Sequence, residues 1–158
     1  AVKWYTLAAE PGVADAQYNL GVMYDKGLGV LQDYKTSAKW YTLSADQGHA
    51  SAQYSLGFMY FQGLGVLQDY KTAAKRLTLS AEQGHASTQY NLGLMYAKGQ
   101  GVLQDYVYAH MWANIASSNG HDKGGKLRDL AAKLMTPSQL EKAQDLAREC
   151  VAKDYKGC

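Results

Sequence analysis

The string Gly-Val-Leu-Gln-Asp-Tyr occurs at Gly29–Tyr34, Gly65–Tyr70 and Gly101–Tyr106, each 36 residues after the last. Its surroundings repeat with it: the run Gln17–Tyr24 (QYNLGVMY) returns with small changes at Gln53–Tyr60 and Gln89–Tyr96. A strict period of this size restricts the fold more than composition can. Each copy is one small supersecondary unit that cannot bury its apolar face alone, so copies must stack in a row.

Within a copy, Ala14, Tyr18, Leu20, Gly21 and Tyr24 recur at helical spacing and predict an A helix over Ala14–Lys26, ended by Gly27. Asp33 is placed to accept from the free amides of a B helix running from Tyr34 to Gln47, which Gly48 closes. The same signals predict helices over 50–62, 70–83, 86–98 and 106–118. Gly21, Gly57 and Gly93 stand mid-helix, where glycine costs about 1 kcal/mol relative to alanine. Their recurrence predicts that helix B approaches helix A closely.

Past Gly120 the period fades. Lys123–Met135 reads as a helix whose start Gly124-Gly125 loosens. Thr136-Pro137-Ser138-Gln139 reads as a capping box opening a last helix to about Lys153. The charged positions Glu141, Lys142, Asp145, Arg148 and Glu149 suit a unit that ends the stack. The expected organisation is all-α: a half repeat over 1–12, full repeats over 13–48, 49–84 and 85–120, and a helical cap over 121–158. In the third B helix the run Ala109–Asn114 departs from the other copies, a change expected to touch only its outer surface.

The chain has 158 residues and a formal net charge of only +2, where nucleic-acid binding needs clustered basic surface. That argues against general nucleic-acid binding. No apolar run approaches the roughly 20 residues of a membrane span. Ala1–Gly12 aligns with Ser37–Gly48, the second half of a unit. The expectation is a piece of a longer protein, so the full repeat number and any leader are not read from it.

Residues of catalytic type form no convincing constellation. His49, His85 and His121 occupy equivalent places, roughly 10 Å apart if units stack at helix-packing distances. A metal ion needs its ligand atoms at about 2 Å, so these histidines read as turn residues. His110 reads as surface or packing. Gly120–Leu127 approaches a phosphate-binding loop but lacks the final Ser or Thr and a preceding strand. No nucleophile–base pair stands out. The chain is therefore expected to have no catalytic residue, no cofactor and no metal. Cys150 and Cys158 are either two free thiols, one helical and one on the tail, or a disulfide closing a short loop. A disulfide would stabilise by about 2–3 kcal/mol and imply an oxidising compartment.

The whole pattern, Ala-x-Ala-x-Tyr-x-Leu-Gly-x-x-Tyr-x-x-Gly-x-Gly-Val-x-x-Asp-Tyr closing on Ala-x-Gln-Gly, resembles the Sel-one-like repeat, a relative of the tetratricopeptide repeat. It is carried by Ala14–Gly48, Ala50–Gly84 and Ala86–Gly120, with a half copy at Ala1–Gly12. The resemblance implies a right-handed α-α superhelix, a solenoid of helical hairpins, acting as an adaptor between proteins. Bacterial members are often exported. In cysteine-rich members a Cys-x7-Cys pair like Cys150 and Cys158 clamps one helix to the next. The resemblance thus implies a disulfide and a periplasmic or secreted protein, or a cytoplasmic one if the cysteines are reduced. Some of those relatives are linked to β-lactam binding or hydrolysis, an alternative that no nucleophile here supports.

The copies also indicate where a partner would sit. Between A helices, Asp15/Ser51/Ser87, Asn19/Ser55/Asn91, Val22/Phe58/Leu94, Asp25/Phe61/Ala97 and Lys26/Gln62/Lys98 change, Ala16/Ala52/Thr88 changes slightly, and their other neighbours do not. These positions lie on one helical face. Packing penalises volume changes on a buried face, so this stripe is expected to be free. In the related folds helix A lines the concave groove. The candidate groove comprises Asp15, Tyr18, Val22, Asp25, Lys26, Ser51, Tyr54, Phe58, Phe61, Gln62, Ser87, Tyr90, Leu94, Ala97 and Lys98, with Phe58 and Phe61 as aromatic anchors. The expected partner is another protein or a peptide, with no nucleic acid and no membrane insertion, and a monomer is favoured. The alternative is a self-associating spacer within a longer exported protein.

Overall fold

The computed structural model describes residues 2–158. Among them the regular elements are all helices: α1 (Val2–Ala9), α2 (Ala14–Lys26), α3 (Tyr34–Asp46), α4 (Ala50–Gln62), α5 (Tyr70–Ala81), α6 (Ala86–Lys98), α7 (Tyr106–Ser118), α8 (Gly124–Ala132) and α9 (Pro137–Ala152). This is the all-α solenoid class that the repeat demands. The A helices are α2, α4 and α6; the B helices are α1, α3, α5 and α7. The chain forms two compact units, one up to Arg76 and one from Leu77.

Helix boundaries follow from side-chain chemistry. Asp33 Oδ1 accepts from the amides of Lys35 and Thr36, and its Oδ2 accepts from the Thr36 hydroxyl at 2.6 Å. Asp69 does the same with Lys71 and Thr72. Asp105 caps α7 through the amides of Val107 and Tyr108. Bonds from the threonine hydroxyl first, then from the amides, hold the carboxyls of Asp33 and Asp69 below the usual carboxylate range. At the other ends Gly27, Gly63 and Gly99 take left-handed conformations and return their amides to Met23, Met59 and Met95. α8 stops short of the expected Met135: the amides of Leu134 and Met135 turn back three residues to Ala131 and Ala132. Thr136, extended before Pro137, then opens α9 with the expected capping box.

In the first unit, one core joins Ala9, Ala16, Leu20 and Met23, with Trp40 against it. A second joins Ala38, Tyr41, Ala45, Ala52, Leu56 and Met59. The glutamines Gln17 and Gln53 are buried, and each donates to a carbonyl at the end of the preceding B helix, Ala9 at 3.1 Å and Ala45 at 3.3 Å. Mid-helix Gly21 makes room for α3. A Cβ there would stand 2.6 Å from the Tyr41 ring, and the Gly21 carbonyl accepts from Ser37 Oγ at 2.8 Å.

In the second unit Gln89 donates to Ala81 at 3.1 Å. Its core gathers Ala81, Leu92, Met111, Trp112, Ile115, Ala147 and Cys150. Two sequence expectations are corrected here. The divergent run Ala109–Asn114 is not an outer surface: Ala109, His110 and Ala113 are buried, as their counterparts Ser37, Ala38 and Tyr41 are, and Met111 and Trp112 are buried as well, where α8 and α9 pack on α7. Met111 stands where Lys39 and Lys75 are exposed, and Ile115 where Leu43 and Leu79 are. The changes are the apolar seat of the cap. Nor does Gly124 loosen α8. It is buried, and a Cβ on it would lie 2.6 Å from the Ser117 amide nitrogen and 2.8 Å from the Ala113 carbonyl. Gly125 meets nothing nearer than 3.4 Å.

A disulfide joins Cys150 to Cys158. It holds the tail where the Tyr155 hydroxyl donates to Asn119 Oδ1 and the Gly157 amide donates to Glu82 Oε1.

Two measurements check this packing. Gly124→Ala is expected to destabilise by about 1–3 kcal/mol in urea unfolding, since backbone cannot yield, while Gly125→Ala is neutral or stabilising by up to about 1 kcal/mol. Cys158→Ser is expected to lower stability by about 2–3 kcal/mol, the entropy of one short loop, and reduction of the parent chain should match it in thermal unfolding.

Candidate interaction face of the A helices

Each A helix buries the same five positions: Ala16, Gln17, Leu20, Gly21 and Met23 in α2, and their equivalents in α4 and α6. None of the five strongly varying positions falls in that set. The slightly varying Ala16/Ala52/Thr88 does, and Thr88 pairs its hydroxyl with Ser80 at 3.0 Å and with His85 Nδ1 at 2.6 Å.

The first unit brings part of the candidate groove together. Asp25, Lys26, Tyr54 and Phe58 line a cleft of about 540 Å³ with Gln32, Tyr34, Tyr41, Ser55, Met59 and Leu64. Phe58 is 41% exposed and stacks on Tyr54, ring centroids 6.4 Å apart. Phe61 is half-buried and lies 5.0 Å from the Tyr70 ring, outside the cleft lining. Asp25 gives its carbonyl to Gln32 Nε2 at 2.6 Å, which shapes the cleft's end. Tyr41 was not anticipated from the A helices. Its hydroxyl is pushed above the usual phenol range, by burial first and by the Asp25 charge second. A comparison of B helices would have found it, since the position reads Tyr41, Leu77 and Ala113.

The remaining candidates are placed individually. Asp15 is exposed and reaches His49 Nε2 at 3.2 Å. Tyr18 stacks on His49 at 4.7 Å, and Tyr90 on His121 at 4.3 Å. These constant tyrosines and histidines are thus packing partners. Val22 is half-buried against the Tyr41 cluster. Ser51, Ser87, Leu94 and Ala97 are half-buried, while Gln62 and Lys98 are exposed. His49 also caps α4, its Nδ1 accepting from the Ala52 amide.

Among the described residues no three His, Cys, Asp or Glu side chains gather to hold a metal ion, and no helix is long and apolar enough to cross a membrane. His110 is buried rather than at the surface. Burial first, then the Arg128 charge, opposed by Asp129, holds it below the ordinary imidazole value. Burial does the same for His85. Both imidazoles are therefore favoured neutral in the folded chain. The unfolded chain takes up these protons near pH 6.5, so their contribution is complete above that pH and declines as pH falls below it. The thermal midpoint is expected to drop from pH 7 to pH 5, and to drop less in His110→Leu. Loss from Asp33 and Asp69 belongs to a separate window, as pH falls below 3.8.

The Sel1 repeat family model matches residues 1–12, 14–49, 50–85 and 86–121. Among solved structures, the chain is similar to c5321, a protective antigen present in uropathogenic Escherichia coli strains that displays an SLR fold. Identity is 32% over 98% of this chain and 41% of that one, with a TM-score of 0.64. It is also similar to a Sel1 repeat protein from Oxalobacter formigenes, at 30% identity over 94% of this chain and 61% of the other, with a TM-score of 0.78. The chain thus spans less than two thirds of either relative. No curated protein matches.

Proposed function

Because the chain belongs to the Sel1 repeat family, whose members are typically protein-interaction scaffolds, we propose that it is a non-catalytic adaptor taking a peptide or partner helix along the varying face of its A helices. The observation that carries this reading is the cleft in the first unit. It combines an exposed aromatic ring, Phe58, with the charged pair Asp25 and Lys26 at its edge. An apolar anchor site with a polar rim is how protein interfaces concentrate their energy. Repeats that keep their buried face nearly constant, Thr88 for alanine being the one change, while this face diverges supply the second support. Ser51 and Gln62 extend the proposed surface along α4 in the first unit, and Ser87, Leu94, Ala97 and Lys98 form the equivalent face of α6 in the second. Protein or peptide partners fit it, and no cofactor is required. The disulfide is compatible with an oxidising compartment, and a periplasmic or secreted location follows from the same reading.

The test begins with affinity capture of a partner by this chain. Phe58→Ala combined with Phe61→Ala is expected to weaken that partner's binding at least tenfold, the loss of about one aromatic hot spot or more. The circular dichroism spectrum should stay unchanged, since Phe58 is exposed and Phe61 only half-buried. Unaltered affinity in the double variant overturns the assignment of the face.

A further inference from the structure

The residue that closes each full B helix is Gln47, Gln83 or Asn119, and glycine follows it every time. Asparagine does the same bonding as the first glutamine. Gln47 Nε2 donates to Gln17 Oε1 at 2.6 Å, and Asn119 Nδ2 donates to Gln89 Oε1 at 2.9 Å. Their reactivity differs. In an Asn-Gly pair the glycine amide nitrogen has no Cβ beside it and closes a five-membered ring on the asparagine Cγ. Glutamine would need a six-membered ring, which closes far more slowly, and asparagine is accordingly a thermolabile residue. Asn119-Gly120 is the one Asn-Gly pair in the chain. Both residues are exposed to water, and a Cβ on Gly120 would meet open space. Three bonds hold the reacting atoms apart: the one to Gln89, one from the Tyr155 hydroxyl to Asn119 Oδ1 at 3.1 Å, and one from the Gly120 amide to the Ser117 carbonyl at 3.0 Å. Tyr155 reaches Asn119 because Asp154 and Tyr155 both take left-handed backbone, φ 53° and 64°. Residues with a Cβ hold that conformation only where their surroundings impose it. Here the Cys150–Cys158 bridge spans both of them.

We propose that Asn119-Gly120 is a deamidation site, which the segment 153–158 keeps closed while the disulfide is intact and which reduction opens. The Gly120 nitrogen gives its proton to solvent and attacks the Asn119 Cγ. The N–Cγ bond forms, the Cγ–Nδ2 bond breaks, and Nδ2 leaves as ammonia with one proton returned from solvent. Water then opens the succinimide at either carbonyl, leaving aspartate or isoaspartate at position 119. Water is the one co-reactant, and nothing is oxidised or reduced in these steps. The product keeps an acceptor for Tyr155 but has no donor for Gln89, whose Oε1 then faces a carboxylate. The tie that orients α6 is broken, so the modification leaves a permanent record that the bridge was open. This site is separate from the A-helix face and does not depend on the adaptor reading.

The test follows the amide-to-acid mass gain at residue 119 by peptide mapping, in mildly alkaline buffer. The reduced chain and Cys158→Ser are expected to deamidate there about tenfold faster than the oxidised parent, or more, as the bonds that close the site are lost. Tyr155→Phe keeps the bridge and so separates loss of this one contact from general unfolding; it should react about threefold faster than the parent. Urea should bring the oxidised parent to the fast rate, and Asn119→Gln should remove the product. Asn119→Asp, the product itself, should lower the thermal midpoint of the oxidised chain by about 2–4 °C. The proposal is overturned if reduction leaves the rate at residue 119 unchanged, or if Tyr155→Phe reacts no faster than the parent. It is equally overturned if the folded parent reacts as fast as in urea, or if Asn119→Asp melts with the parent.

Discussion

Gln17 and Gln89 each use both ends of one buried amide. The nitrogen donates to the last turn of the preceding B helix, at Ala9 or Ala81, and the oxygen accepts from the residue that closes the next B helix, Gln47 or Asn119. Such a bond contributes only about 1 kcal/mol net, but losing one partner strands a buried polar group at greater cost. The tie therefore fixes the rotation of helix A about its axis. Once that rotation is fixed, Leu20, Gly21 and Met23 face inward, Val22 and Asp25 are left half-buried and Lys26 exposed. The candidate interaction face is the geometrical remainder of a packing constraint.

Close approach is the second constraint, and the copies meet it differently. Around Gly21 the space is filled by a tyrosine ring, whereas around Gly93 the α7 backbone at Ala109 and Ala113 comes in, together with Leu127 of α8. The change from Tyr41 to Ala113 is what admits α8. The same position thus builds a cleft wall in one unit and a cap seat in the other.

The period made α2, α4, α6 and α7 readable to the residue, helped by local signals at several ends: the left-handed glycines closing α2, α4 and α6, the aspartate opening α7 and the Thr-Pro pair opening α9. What local signals could not convey was contact between distant segments. Gly124 looked like a flexible start because its neighbours in space, Ser117 and Ala113, belong to another helix. Met111 reads as surface because its counterparts Lys39 and Lys75 carry no sign of a covering helix, whereas His110 keeps the burial of its counterpart Ala38. Tyr41 belongs to a B helix, so the varying stripe of the A helices carries no sign of it. The varying stripe was visible in the sequence; that part of it walls a cleft with Tyr34 and Tyr41 required coordinates.

The cap has a consequence for how this protein can assemble. On α7, the side that an array would use to continue is occupied by α8 and α9, and the Cys150–Cys158 bridge locks the tail beside them. Head-to-tail polymers need two complementary free ends, one on each molecule. With that side of α7 covered, α7 cannot seat the A helix of a second molecule, so this seat takes no part in head-to-tail stacking.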